Sequence, residues 1–170
     1  MSKMTLTYRA LEPEDITLLY RWENDLEVNE VSLSKVPFSK YILEQYISHA
    51  QMDIQEAGQV RFILENTEGI AVGCVDLYEY NAVDRRAGIG ILIDKDFRAL
   101  GYGSTAIELI KNYAFNVLGL HQLYCSVGIE NTVSLNLFES VGFEKIGLRK
   151  EWRFINGNFS DVADFQLLNK

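Results

Sequence analysis

Phe97-Arg98-Ala99-Leu100-Gly101-Tyr102-Gly103-Ser104-Thr105-Ala106 is the stretch that decides how this chain folds. It follows an apolar, strand-like run from Gly88 to Ile93 and leads into an amphipathic helical pattern. A turn with two glycines that opens a helix presents free backbone N–H groups and the positive end of the helix dipole. The stretch therefore predicts a binding site for an anionic group, usually a phosphate.

The composition is that of one soluble domain spanning residues 1–170, with 48% hydrophobic and 24% charged residues. The net charge of −8 argues against sequence-independent nucleic-acid binding, which needs Lys and Arg to neutralise phosphates. We see no secretory leader and no apolar run long enough to cross a membrane. Cys74 and Cys125 lie in predicted strands without metal-ligand spacing, which predicts reduced core cysteines, a cytoplasmic protein and no bound metal.

Apolar spacing along the chain predicts strands and helices in the order β-α-α-β-β-β-α-β-α-β-β. Ser39 is expected to cap the second helix, whose apolar positions recur from Ile42 to Ile54. Short connections make neighbouring strands antiparallel, and Asn156-Gly157 is typical of a hairpin turn. One strand–helix–strand crossover joins the two halves. We therefore expect an α+β fold, with a mixed, mostly antiparallel sheet flanked by helices.

The letters Gly101-x-Gly103-x-x-Ala106 also match the dinucleotide fingerprint, and Glu130 lies where its ribose-binding acid could stand. In that fingerprint the first glycine directly follows the strand, whereas residues 94–100 intervene here. Antiparallel hairpins precede the motif, and the chain that follows is too short for a doubly wound sheet. A P-loop is excluded because no Gly-Lys-Ser/Thr is present.

Arg98-x-x-Gly101-x-Gly103, in this order of elements, resembles the GNAT superfamily of acetyl-CoA-dependent N-acetyltransferases. The resemblance implies that the pyrophosphate of coenzyme A is held by residues 98–104, called the glycine loop below. It also implies that the preceding strand contacts the coenzyme, and that a backbone N–H near Ile91 to Ile93, assigned to Leu92, stabilises the oxyanion. The implied coenzyme contacts in these two segments are Ile91, Leu92, Ile93, Arg98, Ala99, Leu100, Gly101, Tyr102, Gly103 and Ser104.

A second segment, residues 131–143, resembles the superfamily's other coenzyme-binding stretch. There Asn131 would contact the pantetheine arm, and Ser134 and Phe138 would lie near the thiol. Phe138 occupies the position of the tyrosine that usually protonates the departing sulfur, and phenylalanine has no proton to give. Three alternatives follow for the departing sulfur. Its direct protonation is dispensable or passes through water, or a hydroxyl of Tyr102, Tyr124 or Ser134 supplies the proton. The third is that the protein is a weak catalyst.

Segments spread over nearly the whole chain resemble bacterial spermidine/spermine acetyltransferases and, less specifically, ribosomal-protein acetyltransferases. Among them are residues 8–12, 73–81 and 154–157. The resemblance implies transfer of acetyl from acetyl-CoA to a primary amine of a small-molecule polyamine such as spermidine, with Glu79 as base and Glu79 and Asn81 at the substrate. The acidic stretch that ends at Glu30 adds Glu30 as an expected substrate contact. Asp76 lies on the opposite strand parity to Glu79, so one of the two is expected to face the cleft.

Two alternatives stay open from the sequence. One is acetylation of a protein N-terminus, because several acids of the polyamine branch are absent and Gly88 occupies another acidic position. The other is a coenzyme-A-binding protein without catalysis, which Phe138 suggests. The polyamine branch forms large rings, so a homo-oligomer is a further expectation.

Overall fold

The computed structural model describes residues 5–25 and 36–170, and this part of the chain forms one seven-stranded sheet with helices on both faces. The strands are β1 (Thr7–Ala10), β2 (Val60–Glu65), β3 (Ala71–Asn81), β4 (Arg86–Ile93), β5 (Gln122–Gly128), β6 (Glu144–Ile155) and β7 (Asn158–Leu168). The helices are α1 (Ile16–Glu23), α2 (Lys40–His49), α3 (Ile54–Ala57), α4 (Tyr102–Asn112) and α5 (Thr132–Ser140). Short 3₁₀ turns span Pro13–Asp15 and Lys95–Phe97, and a π-helical turn spans Tyr113–Val117.

The strand order is β1-β2-β3-β4-β5-β7-β6, and every neighbouring pair is antiparallel except β4 with β5. The predicted mixed α+β sheet is confirmed. Ser39 caps α2 as expected, with its Oγ accepting from Ile42 N at 3.2 Å. The helix ends at His49 rather than near Ile54, because Asp53 caps a separate turn, its Oδ1 accepting from Gln55 N at 2.8 Å.

The core has two layers, one on each face of the sheet. On the α1/α2 face, Leu19 and Trp22 pack with Ile63 and Cys74. On the α4/α5 face, the larger cluster includes Ile107, Ile110, Leu77, Ile89 and Phe165. Alternation of side chains along β2 and β3 assigns successive residues to the two layers, which is why these strands read as nearly continuous apolar runs.

The sheet splits in its centre, between β4 and β5. The two strands pair only at three positions, where Arg86, Ala87 and Gly88 face Gln122, Leu123 and Tyr124. Beyond Gly88, β4 continues against β3 to Ile93, and β5 continues against β7 to Gly128. One edge of β4 is therefore left open just before the glycine loop.

Within the described residues, no helix is long and apolar enough to span a membrane. The same part of the chain contains no group of three or more acidic, His or Cys side chains that could hold a metal ion.

Candidate active site

The glycine loop is a sharp connection whose backbone is held in the left-handed region twice. Ala99 has φ 59° and Gly101 has φ 85°, and Gly101 forms the N-cap of α4. Gly101 O accepts hydrogen bonds from Ser104 Oγ at 3.0 Å and from Thr105 N at 3.3 Å. The first-turn N–H groups of α4 have no acceptor within the helix, so they and the helix dipole form an anion site facing outward.

The two glycines of the loop are required for different reasons. Gly101 is exposed, and a Cβ added there would have open space, so its requirement is the positive φ. A Cβ on Gly103 would lie 3.1 Å from Leu137 Cδ2, so Gly103 lets α4 pack closely against α5. Only Gly101 therefore leaves free space for a phosphate to approach the backbone.

Changing Gly101 to alanine is expected to cost about 1–2 kcal/mol of backbone strain and to turn the loop amides away from their ligand. We expect weaker binding of coenzyme A in isothermal titration calorimetry. Gly69→Ala is a matched control, because Gly69 also has positive φ (74°) and open space but lies in the β2–β3 turn. If Gly101→Ala and Gly69→Ala lose the same stability and the same affinity for coenzyme A, a specific role of the glycine loop is contradicted.

The open edge of β4 presents backbone groups of alternate residues. Asp94 N donates to Val72 O of the β3 segment at 2.9 Å, so Asp94 and Leu92 direct their N–H groups toward β3. Ile91 and Ile93 direct theirs to the opposite edge, where β5 has already separated. Leu92 N–H, predicted from the sequence as the oxyanion donor, is used within the sheet, and the N–H groups of Ile91 and Ile93 are the ones on the open edge.

Asp94 ties the end of β4 to α1. Its buried carboxylate accepts from Trp22 Nε1 at 2.7 Å and from Asp96 N at 3.2 Å, and it pairs with Arg21. Burial by itself raises the pKa of Asp94, but these hydrogen bonds and the Arg21 charge outweigh it and hold the pKa below its usual value. A charged, fully bonded Asp94 thus fixes the start of the glycine loop, whose Arg98 donates from Nε to Ile93 O at 3.1 Å.

Glu79 lies at a bulge in β3, at the point where β4 and β5 begin to separate. It has φ 49°, and the β3–β4 register shifts between Tyr78 and Asn81. Tyr124 of β5 donates its hydroxyl to Glu79 Oε2 at 2.5 Å. Burial and the charge of Glu79 raise the pKa of Tyr124 to about 12, so the phenol stays protonated and orients an exposed carboxylate at the split.

Asp76 is neutralised by an arginine. Arg61 donates to it from Nε at 2.6 Å and from Nη2 at 2.9 Å, and also donates to Glu23 at 2.5 Å. Of Asp76 and Glu79, Glu79 is the carboxylate that lies at the split without a bound cation in the described residues.

The second predicted coenzyme segment forms α5. Asn131 caps it, with Oδ1 accepting from Ser134 N at 3.1 Å. Phe138 is buried in the α4/α5 core, with its ring 5.1 Å from that of Phe143. The Tyr102 ring, at the first residue of α4, packs edge-on against Phe97 with the ring centroids 6.0 Å apart. Of the hydroxyls that could replace the missing acid, Tyr124 is the one hydrogen-bonded to the candidate base.

Two predicted substrate residues have other outcomes. Asn81 Oδ1 accepts from Asp84 N at 2.8 Å, so the structure gives this side chain a role in the β3–β4 turn. Glu30 lies outside the described residues.

Tyr78, which the sequence analysis did not name, lies beside Glu79 and over Gly88 and Gly90. Two alternate glycines in a strand are a signal of close approach by a neighbour, and could have pointed to it.

A split sheet, an open edge of β4 and the N-terminus of α4 follow one another along the chain, an arrangement that suits an extended, anionic ligand. The family model of the acetyltransferase (GNAT) domain matches residues 5–144. The chain therefore belongs to the GNAT acetyltransferase family. The predicted superfamily, enzyme class and acetyl-CoA co-substrate are confirmed.

Relatives cover nearly the whole chain. It is 30% identical to the spermidine N(1)-acetyltransferase of Vibrio cholerae over 96% of this chain and 92% of that protein. The Escherichia coli K12 spermidine N(1)-acetyltransferase is 29% identical over 95% of this chain and 84% of its own. The crystal structure of the Vibrio cholerae enzyme with CoA and spermine superposes with a TM-score of 0.89, at 30% identity and over 96% and 95% of the two chains.

Proposed function

We propose that this protein transfers the acetyl group of acetyl-CoA to a primary amine of a polyamine such as spermidine or spermine. The observation that carries the proposal is the Glu79–Tyr124 pair at the split of the sheet, beside the open edge of β4. The Vibrio cholerae relative, which was crystallised with CoA and spermine, supports the choice of acceptor.

The chain offers suitable groups for coenzyme A. The open space at Gly101 and the first-turn amides of α4 fit a pyrophosphate. The edge groups of Ile91 and Ile93 fit the amides of the pantetheine arm, as an added strand would use them. Asn131, Ser134 and Phe138 would flank the arm at the start and along one side of α5.

In the proposed reaction, the neutral amine attacks the thioester carbonyl, a new N–C bond forms and the C–S bond breaks. Glu79 takes the proton from the amine. The N–H of Ile91 or Ile93 donates to the developing oxyanion. Phe138 gives no proton, so the coenzyme leaves as thiolate or takes a proton from water or from the Tyr124 hydroxyl.

Incubation with acetyl-CoA and a panel of acceptors tests the proposal by release of free thiol. The panel contains spermidine, spermine, an alkyl monoamine and a peptide with a free N-terminus. We expect the highest kcat/KM with a polyamine, and no thiol release with either polyamine would refute the acceptor. Higher turnover of the peptide would instead favour an N-terminal acetyltransferase, an assignment supported by the 28% identity over 61% of this chain to a putative ribosomal N-acetyltransferase of Bacillus subtilis.

A homo-oligomer and a cytoplasmic location are part of the same proposal. Apolar side chains exposed on and around β6 support the first, with Trp152 62% and Phe159 65% exposed. The buried, unbridged Cys74 and Cys125 support the second. Sedimentation analysis of the purified chain tests the oligomer, and a monomer at micromolar concentration would contradict it.

A further inference from the structure

Tyr78 occupies the space that a side chain at position 88 would fill. Gly88 pairs with Tyr78 on β3 and with Tyr124 on β5, so the three residues form one row across the sheet. A Cβ added to Gly88 would overlap the Tyr78 ring, and one added to Gly90 would lie 3.8 Å from Tyr78 Cε1. The ring therefore spans both glycines of β4.

The Tyr78 ring lies on the α1/α2 face of the sheet, at the split between β4 and β5. Tyr78 shares strand parity with Cys74, which packs in the α1/α2 layer, so the ring lies on that face. Its centroid is 6.2 Å from that of Tyr124, with the planes at 77°. Glu79 is bonded to Tyr124, so two aromatic rings and one carboxylate surround the point where β4 and β5 separate.

The chemistry of this cluster suits a cation on an alkyl chain. Aromatic faces attract ammonium groups, and the negative charge of the Glu79 carboxylate attracts them too. Burial and the nearby anionic groups raise the pKa of Tyr78 well above its ordinary value, which keeps the phenol neutral.

We propose that Tyr78 is a specificity-determining residue of the acceptor site, whose ring, held over Gly88, binds the alkylammonium chain of the amine opposite the Tyr124–Glu79 pair. This inference rests on the proposed amine acetylation and goes beyond it by assigning recognition to a side chain outside the coenzyme site. The glycine at position 88 then has a function, because it makes room for the ring.

Steady-state kinetics with spermidine test this role in the full chain. Tyr78→Leu removes the ring and is expected to raise KM for spermidine by about 2- to 30-fold. It should leave kcat within about threefold of the wild type and KM for acetyl-CoA unchanged. Tyr78→Phe keeps the ring and serves as the matched control, with KM expected within about twofold of the wild type.

A double-mutant cycle with Gly88→Ala separates recognition from folding. Alone, Gly88→Ala must displace the ring and is expected to raise KM for spermidine as Tyr78→Leu does. In the Tyr78→Leu background it should have no further effect on KM. Additive effects, or an unchanged KM in Tyr78→Leu, would overturn the inference.

The outcomes distinguish this inference from the function on which it rests. Turnover of spermidine by the wild type with an unchanged KM in Tyr78→Leu refutes the role of Tyr78 alone. Absence of polyamine turnover by the wild type refutes the proposed function. In that case KM for whichever panel amine is acetylated is compared in the same variants, and if none is acetylated the inference is refuted too.

Discussion

Replacing Glu79 with glutamine is expected to lower kcat for polyamine acetylation by about 100- to 10,000-fold, the usual contribution of a positioned general base. Glutamine keeps the shape of the side chain but cannot take the proton of the attacking amine. The glycine loop lies at the far end of β4, so KM for acetyl-CoA should change little. The initial rate of thiol release at saturating acetyl-CoA measures the effect.

Two further variants give this result its meaning. Tyr124→Phe removes the 2.5 Å hydrogen bond that orients the carboxylate, and a smaller loss of kcat than in Glu79→Gln is expected. Glu144→Gln changes an exposed carboxylate at the start of β6 and should leave kcat unchanged. If kcat of Glu79→Gln stays within threefold of the wild type while KM for the amine rises, Glu79 binds the acceptor, and another group takes the proton from the amine.

The features that sequence predicted well are local ones. Ser39 caps a helix, Gly101 starts one with positive φ, and Asn156-Gly157 turns a hairpin with φ of 48° and 83°. Each depends on the conformational preference of one or two residues, so a short window of sequence contains the whole signal. The order of strands and helices follows because these markers separate the apolar runs.

The features that sequence did not resolve depend on register between distant segments. The edge of β4 toward which Leu92 N–H points is decided by the pairing with β3, which no local pattern in β4 reveals. The requirement at Gly103 comes from Leu137, which is distant in sequence. The bulge that brings Glu79 to Tyr124 joins residues 45 positions apart. Long-range contacts of this kind have no local marker.

Arg61, Asp76 and Glu23 form a charged cluster, and removing its cation is expected to lower the free energy of unfolding more than any other change proposed for this protein. In Arg61→Met, the carboxylates of Asp76 and Glu23 remain without their partner, since Arg61 donates to both and is only 14% exposed. Burial alone lowers the pKa of Arg61, but the Asp76 charge raises it well above its usual value, which reflects how strongly the cluster favours the cation. Breaking such a pair costs about 3–5 kcal/mol of unfolding free energy, measured by urea denaturation.

A second arginine provides the comparison. Arg86 pairs with Asp84 at the surface, where the two side chains are 39% and 52% exposed, and Arg86→Met should change the unfolding free energy by less than about 1 kcal/mol. Replacing Asp76 and Glu23 by Asn and Gln in the Arg61→Met background should recover part of the loss, because no charge is then left unpaired. Equal effects in Arg61→Met and Arg86→Met would show that the cluster is solvated. Glu79 is oriented by Tyr124 rather than by Arg61, so folded Arg61→Met should keep kcat within about tenfold of the wild type. That result would separate the structural role of Arg61, which joins β2, β3 and α1, from the chemistry at the split.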